Sequence, residues 1–148
     1  MNAFFAYLYR RPVTFYRNLF WFLLILILII SSIPALPEPE IYIHHEKLRL
    51  DHLFHWGEYA SLVFLFAFWR LRTKPASAPR ILVYTFLLGL LIASFDETHQ
   101  LFVPGRHFTF ADWLSNLLGV ITGILFSLWV WNSARRRSLI SPPSAQEK

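Results

Sequence analysis

A chain of 148 residues that is 55% hydrophobic and 18% aromatic, with charged residues at 16%, has the composition of one modest membrane domain. Its formal net charge of +5 comes from basic residues that flank apolar runs, not from a solvated basic patch with exposed aromatics, which excludes a nucleic-acid binder. The absence of cysteine excludes disulfides, thiol nucleophiles and thiolate metal sites.

Residues 1–17 mix aromatics with Arg10, Arg11 and Arg17, the pattern of a short amphipathic helix on an anionic leaflet. From Asn18 to Leu36 no charge occurs, a run long enough to cross a hydrocarbon core of ~30 Å at ~1.5 Å per residue. This predicts a retained first transmembrane helix and not a cleaved leader, since no small-residue cleavage site follows the long basic region. Pro34, Pro37 and Pro39 end the run, and a polar, rather acidic loop leads to Asp51.

The second span is predicted from Asp51 to Arg70, with Asp51, His55, Glu58 and Tyr59 on one helix face. A histidine or tyrosine on such a face is ordinary packing. Glu58 changes the reading, because an acid past the first turn of a membrane helix marks a functional site by default. The basic loop 70–80 leads to a third span from Ile81 to about Leu101, which ends in Asp96, Glu97 and Gln100, with Asp96 and Gln100 on one face. Val103-Pro104-Gly105-Arg106 predicts a turn.

Thr109 and Asp112 predict a capping box for a fourth span that runs to Trp131. Along that span Asp112, Asn116, Gly119 and Gly123 share a face, polar first and then small enough for close helix packing. Residues 133–148 read as a basic, disordered tail. Trp56 and Trp113 are expected at one membrane interface, and Trp69, Trp129 and Trp131 at the other.

The N-terminus, the 70–80 loop and the C-terminus together hold eleven of the fourteen Lys and Arg residues, so the positive-inside rule places both termini in the cytoplasm. Eight of the nine acidic residues and all six histidines then fall on the extracytoplasmic side. The expected architecture is an all-α, four-transmembrane-helix bundle of the inner membrane. Its domain covers 18–132, preceded by the interfacial segment 1–17. Asp51, His55, Glu58, Tyr59, Asp96, Glu97, Gln100, Asp112 and Asn116 are expected to converge on one outward-facing pocket, with Arg106 reaching in from the loop.

Two segments resemble the VanZ-like family of small bacterial membrane proteins. The first motif is similar to D-K-x-x-H-F-x-x-Y: Asp51, His55 and Tyr59 match, Trp56 stands at the aromatic position, and His52 replaces lysine. The second is similar to D-E-x-x-Q-x-F/V-x-P-G-R followed by D-x-x-x-N-x-x-G. Asp96, Glu97, Gln100, Pro104, Gly105, Arg106, Asp112, Asn116 and Gly119 are all in register with it. The resemblance implies an inner-membrane protein whose named member is associated with resistance to the glycopeptide teicoplanin.

Three functions suit these residues. The pocket can bind a headgroup such as a polyprenyl phosphate or cell-wall precursor, with Arg106 pairing with phosphate and Gln100, Asn116, Tyr59 and His55 giving directional hydrogen bonds. It can be an enzyme site, with His55, Glu58 or Glu97 as general acid or base and a divalent ion as a possible carboxylate-held accessory. Or the polar groups can pair with one another to set helix packing, without a ligand. No metal-ligand set is assigned, since His44-His45-Glu46 has the wrong spacing for zinc on a helix; cofactor and oligomeric state are left open.

Overall fold

The computed structural model describes residues 3–34, 40–43 and 46–136. Five helices follow one another: α1 (Ala3–Arg10), α2 (Val13–Ser31), α3 (Asp51–Thr73), α4 (Ala78–Gln100) and α5 (Phe110–Arg136). Strands β1 (Glu40–Ile43) and β2 (Glu46–Arg49) form an antiparallel pair between α2 and α3, with Glu40 opposite Arg49 and Ile43 opposite Glu46. This segment was expected to be a polar loop. Ile41 and Ile43 alternate with Glu40 and Tyr42, and Leu48 stands between Lys47 and Arg49, the period-two pattern that suits a strand pair.

The first apolar helix is displaced toward the N-terminus relative to the expected 18–36. Pro12, at φ −63° and ψ 151°, lets α2 begin at Val13, because a proline before the first turn has no amide to leave unsatisfied. The helix ends at Ser31. Ile33 precedes Pro34 and is disfavoured in the α region, while Ser32 Oγ donates to the Leu28 carbonyl at 2.6 Å. The basic segment is therefore divided, with α1 a separate element and Arg17 inside α2. The expected disordered tail lies outside the described residues from position 137 on.

Among the described residues, α2, α4 and α5 are each long and apolar enough to cross a membrane. Their outer faces carry Trp21, Phe22, Ile25, Leu87, Leu91, Phe95, Leu118 and Leu125, all exposed, whereas the buried positions include Asp96, Glu97, Asp112 and Asn116. A chain that is apolar outside and polar inside is solvated by hydrocarbon. The hydroxyls obey the same constraint: Thr85, Thr98, Ser115, Thr122 and Ser127 each donate to the carbonyl four residues back.

The less apolar α3 carries Asp51, Glu58, Arg70 and Arg72 and occupies the centre, contacting α2, α4 and most extensively α5. One core cluster joins Tyr16, Phe20 and Ile27 to Leu62, Leu65, Phe68 and Val130; a second joins Tyr59 and Val63 to Ala93 and Val120. Trp131 departs from the expected interfacial belt. It is 3% exposed and packs with Leu71 and Ile81 in a third cluster at the basic end.

Arg72 fixes α1 to the bundle. Its guanidinium donates to the carbonyls of Leu8 (3.4 Å), Tyr9 (3.2 Å) and Arg11 (2.8 Å) at the end of α1, and stacks over the rings of Tyr9, Tyr16 and Phe68. A cation there satisfies orphan carbonyls and the negative end of the helix. Burial pushes the Tyr9 phenol well above its ordinary pKa, with the Arg72 charge pulling against it. Arg72→Ala is expected to release α1, and hydrogen exchange of residues 3–10 should rise to the level of an unprotected segment while exchange in α4 is unchanged.

Candidate functional site

The polar residues gather at one end of the bundle, where α2 and α4 finish and α3 and α5 begin. Each is brought there by a separate local device. Thr109 Oγ1 accepts the Asp112 amide at 3.1 Å, the expected cap at the start of α5, while the Asp112 carboxylate accepts the Thr109 hydroxyl in place of the Thr109 amide of a full capping box, which fixes that carboxylate. The turn at Pro104-Gly105 also forms as expected. Gly105 has φ 76°, and the Arg106 amide donates to the Val103 carbonyl at 3.1 Å.

The close approach of α3 and α5 sets the depth of the layer. Gly119 and Gly123 lie directly on the α3 backbone, so that a Cβ built at Gly119 would stand 2.4 Å from the Trp56 carbonyl oxygen. Trp56 Nε1 adds a hydrogen bond to Thr122 Oγ1 at 3.2 Å. These contacts turn His55 and Tyr59 toward α4 and α5.

At the centre, Glu97 and Asn116 are both fully buried, and Asn116 Nδ2 donates to Glu97 Oε1 at 2.7 Å. His55 Nδ1 stands 3.9 Å from the same carboxylate oxygen, too far for a hydrogen bond. Beside this pair, Asp96 is faced by the hydroxyls of Ser31 and Tyr59 and by the imidazoles of His55 and His99. Glu58 lies within the electrostatic reach of Asp96 and Arg106. Gln100 is buried one turn beyond Asp96.

The other group is nearer the surface. His52 Nδ1 is 2.8 Å from Asp112 Oδ1 and 4.0 Å from Asp51 Oδ1. The expected residues thus form two adjoining groups: Asp96, Glu97, Asn116, His55, Tyr59 and Glu58 within, Asp51 and Asp112 outside.

Arg106 is placed differently from the expectation that it reaches into the polar group. Its Nη2 donates to Ile30 O at 3.0 Å and its Nε to Ile33 O at 3.3 Å, so it caps the C-terminus of α2. Its charge still acts on Glu58 and Glu97. Arg106→Ala is expected to cost about 1 kcal/mol in thermal unfolding, from the orphaned α2 carbonyls.

Ser31, His52, His99 and Ser94 join the site without having been expected there. Ser94 accepts the Trp113 indole N–H at 3.1 Å. A serine in an uncharged run carries no sequence signal of its own. His52 and His99 flank residues that had been identified, and only the helix rotation decides that they turn inward.

A model of the VanZ/LLP1 family matches residues 2–131, most of the chain and all of the helices except the last turns of α5. The chain belongs to the VanZ/LLP1 family. The matched span includes every polar residue of both groups, so the layer lies wholly within the VanZ/LLP1 domain. No curated protein and no solved structure matches the chain.

Proposed function

We propose that this VanZ/LLP1 protein spans the membrane four times, with α3 crossing beside α2, α4 and α5 and both termini cytoplasmic. In this reading its polar layer binds the headgroup of a lipid-linked envelope compound, such as a polyprenyl phosphate or a cell-wall precursor, at the extracytoplasmic end. The observation that carries the reading is a group of buried polar atoms with no hydrogen-bond partner among the described residues: Glu97 Oε2, Asn116 Oδ1 and His55 Nδ1, beside an Asp96 carboxylate that only the Ser31 and Tyr59 hydroxyls approach. Each such atom costs about 1–3 kcal/mol, and a polar headgroup relieves several at once.

The starts of α3 and α5 bring positive dipole ends to this end of the bundle, and Arg106, while capping α2, also acts on Glu58 and Glu97, so part of the layer's carboxylate charge is offset where a headgroup would sit. The apolar outer faces suit a lipid tail. A role in teicoplanin resistance belongs to this reading, since a protein that holds a precursor headgroup changes what the glycopeptide can reach.

Native mass spectrometry of the detergent-purified protein beside Arg106→Ala tests it. An adduct of lipid mass in the wild type, lost in a variant of unchanged helical content, supports the reading. A bare mass in both overturns it and leaves the polar groups a packing role.

One contact favours catalysis as a second reading. Glu97, oriented by the Asn116 amide and 3.9 Å from His55, has the arrangement of a general base with an imidazole beside it. Glu58 is a further acid within reach of the same layer. Here the protein is a hydrolase or transferase acting on a lipid-linked phosphate. Glu97→Gln is then expected to abolish phosphate release from an undecaprenyl diphosphate substrate while the lipid adduct persists.

A further inference from the structure

We propose that Asp51, His52 and Asp112 form a binding site for one divalent first-row transition-metal cation of the zinc and manganese class. One donor atom from each of the three side chains lies within 4.8 Å of the others. Two carboxylates and a neutral imidazole are a donor set that these ions accept.

The decisive detail is at Asp112, which is only 5% exposed. Its Oδ2 is held by the Thr109 hydroxyl, which leaves Oδ1 directed at His52. The two atoms stand 2.8 Å apart, yet neither makes an aligned hydrogen bond. A simple ion pair would aim the imidazole N–H along that line. Two buried donor atoms left without that alignment, at this separation, suit two ligands of one ion, whose donors stand about 3 Å apart at bond lengths of ~2.0–2.2 Å. Asp51 Oδ1, at 4.0 Å from the imidazole nitrogen, completes the set with a small side-chain turn.

The sequence positions make the chelate. Asp51 and His52 open α3, and Asp112 opens α5, so the ion would join the two helices at the layer's outer edge. The His52 side chain is 35% exposed, which gives the ion a path from water. Thr109 is a positioning residue that orients the Asp112 carboxylate.

Isothermal titration of the chelator-stripped, full-length protein with zinc chloride, repeated with manganese chloride, tests the site. One saturable ion per chain is expected for the wild type. His52→Lys keeps a hydrogen-bond donor within reach of Asp112 but has no lone pair to give, so it should keep the metal-free melting temperature and lose saturable binding. Thr109→Ala should weaken the ion about 10–100-fold. A wild type that binds neither ion overturns the proposal, as does a His52→Lys variant that binds as the wild type does. A site lost in His44→Ala/His45→Ala and kept in His52→Lys would assign the ion to His44 and His45, which also overturns it. The lipid adduct is read separately by mass, so this proposal and the headgroup reading fail independently.

Discussion

Gly119→Ala is expected to destabilise the bundle by about 3 kcal/mol, the upper end of what overpacking typically costs, and Gly123→Ala similarly. The reason is what the added methyl group would meet. At Gly119 it would stand 2.4 Å from the Trp56 carbonyl oxygen and 3.0 Å from the Ala60 nitrogen; at Gly123, 2.5 Å from the Ala60 carbonyl oxygen. These are backbone atoms of α3 and cannot rotate away, so the helices must separate.

Two other glycines supply the contrast. A Cβ at Gly89 would lie 2.9 Å from a Val120 methyl and 3.0 Å from a Val63 methyl, buried β-branched side chains that give little but are not backbone, so Gly89→Ala should cost somewhat less than Gly119→Ala. Nothing lies within 4 Å of a Cβ at Gly57, and Gly57→Ala should stabilise α3 by about 0.5–1 kcal/mol through helix propensity. Thermal unfolding of the four variants in one detergent checks the order. Equal losses at Gly119 and Gly57 would remove the close α3–α5 contact from the account. Separation at Gly119 also draws His55 and Tyr59 away from Glu97 and Asn116, so the lipid adduct that the headgroup reading expects should weaken together with stability.

Much of this arrangement was legible in the residues. The faces Asp51, His55, Glu58, Tyr59 and Asp112, Asn116, Gly119, Gly123 follow from helical spacing, and the Pro104-Gly105 turn and the Thr109–Asp112 cap are local chemistry that short windows record. What was not legible depends on partners distant in sequence. Arg106 lies 76 residues from the Ile30 carbonyl that it caps, and no local pattern distinguishes a loop arginine that caps a helix from one that faces a ligand. Trp131 resembled a belt residue because it ends an apolar run. It is buried because α3 and α4 meet at that end. Ser31 entered the polar layer because α2 ends five residues before its expected limit, at a depth set by where Pro12 lets the helix start.

Asn116→Leu is expected to cost about 2–3 kcal/mol, since it removes the donor to a fully buried carboxyl group. Glu97 is 0% exposed, its Oε1 accepts only the Asn116 amide among the bonds observed, and its Oε2 has no partner among the described residues. Glu97→Leu alone should cost a similar amount by stranding the amide. The double variant Glu97→Leu/Asn116→Leu separates pairing from simple volume change. Replacing both polar partners with apolar groups of similar shape is nearly neutral in a buried site, so the double variant should lie well above the sum of the single losses, with a coupling of about 1–3 kcal/mol. Additive losses would mean that the 2.7 Å contact contributes nothing to folding. Restored stability together with a lost lipid adduct is the outcome expected of a pair kept for binding, because the interior then packs as well without it and only the ligand registers its removal.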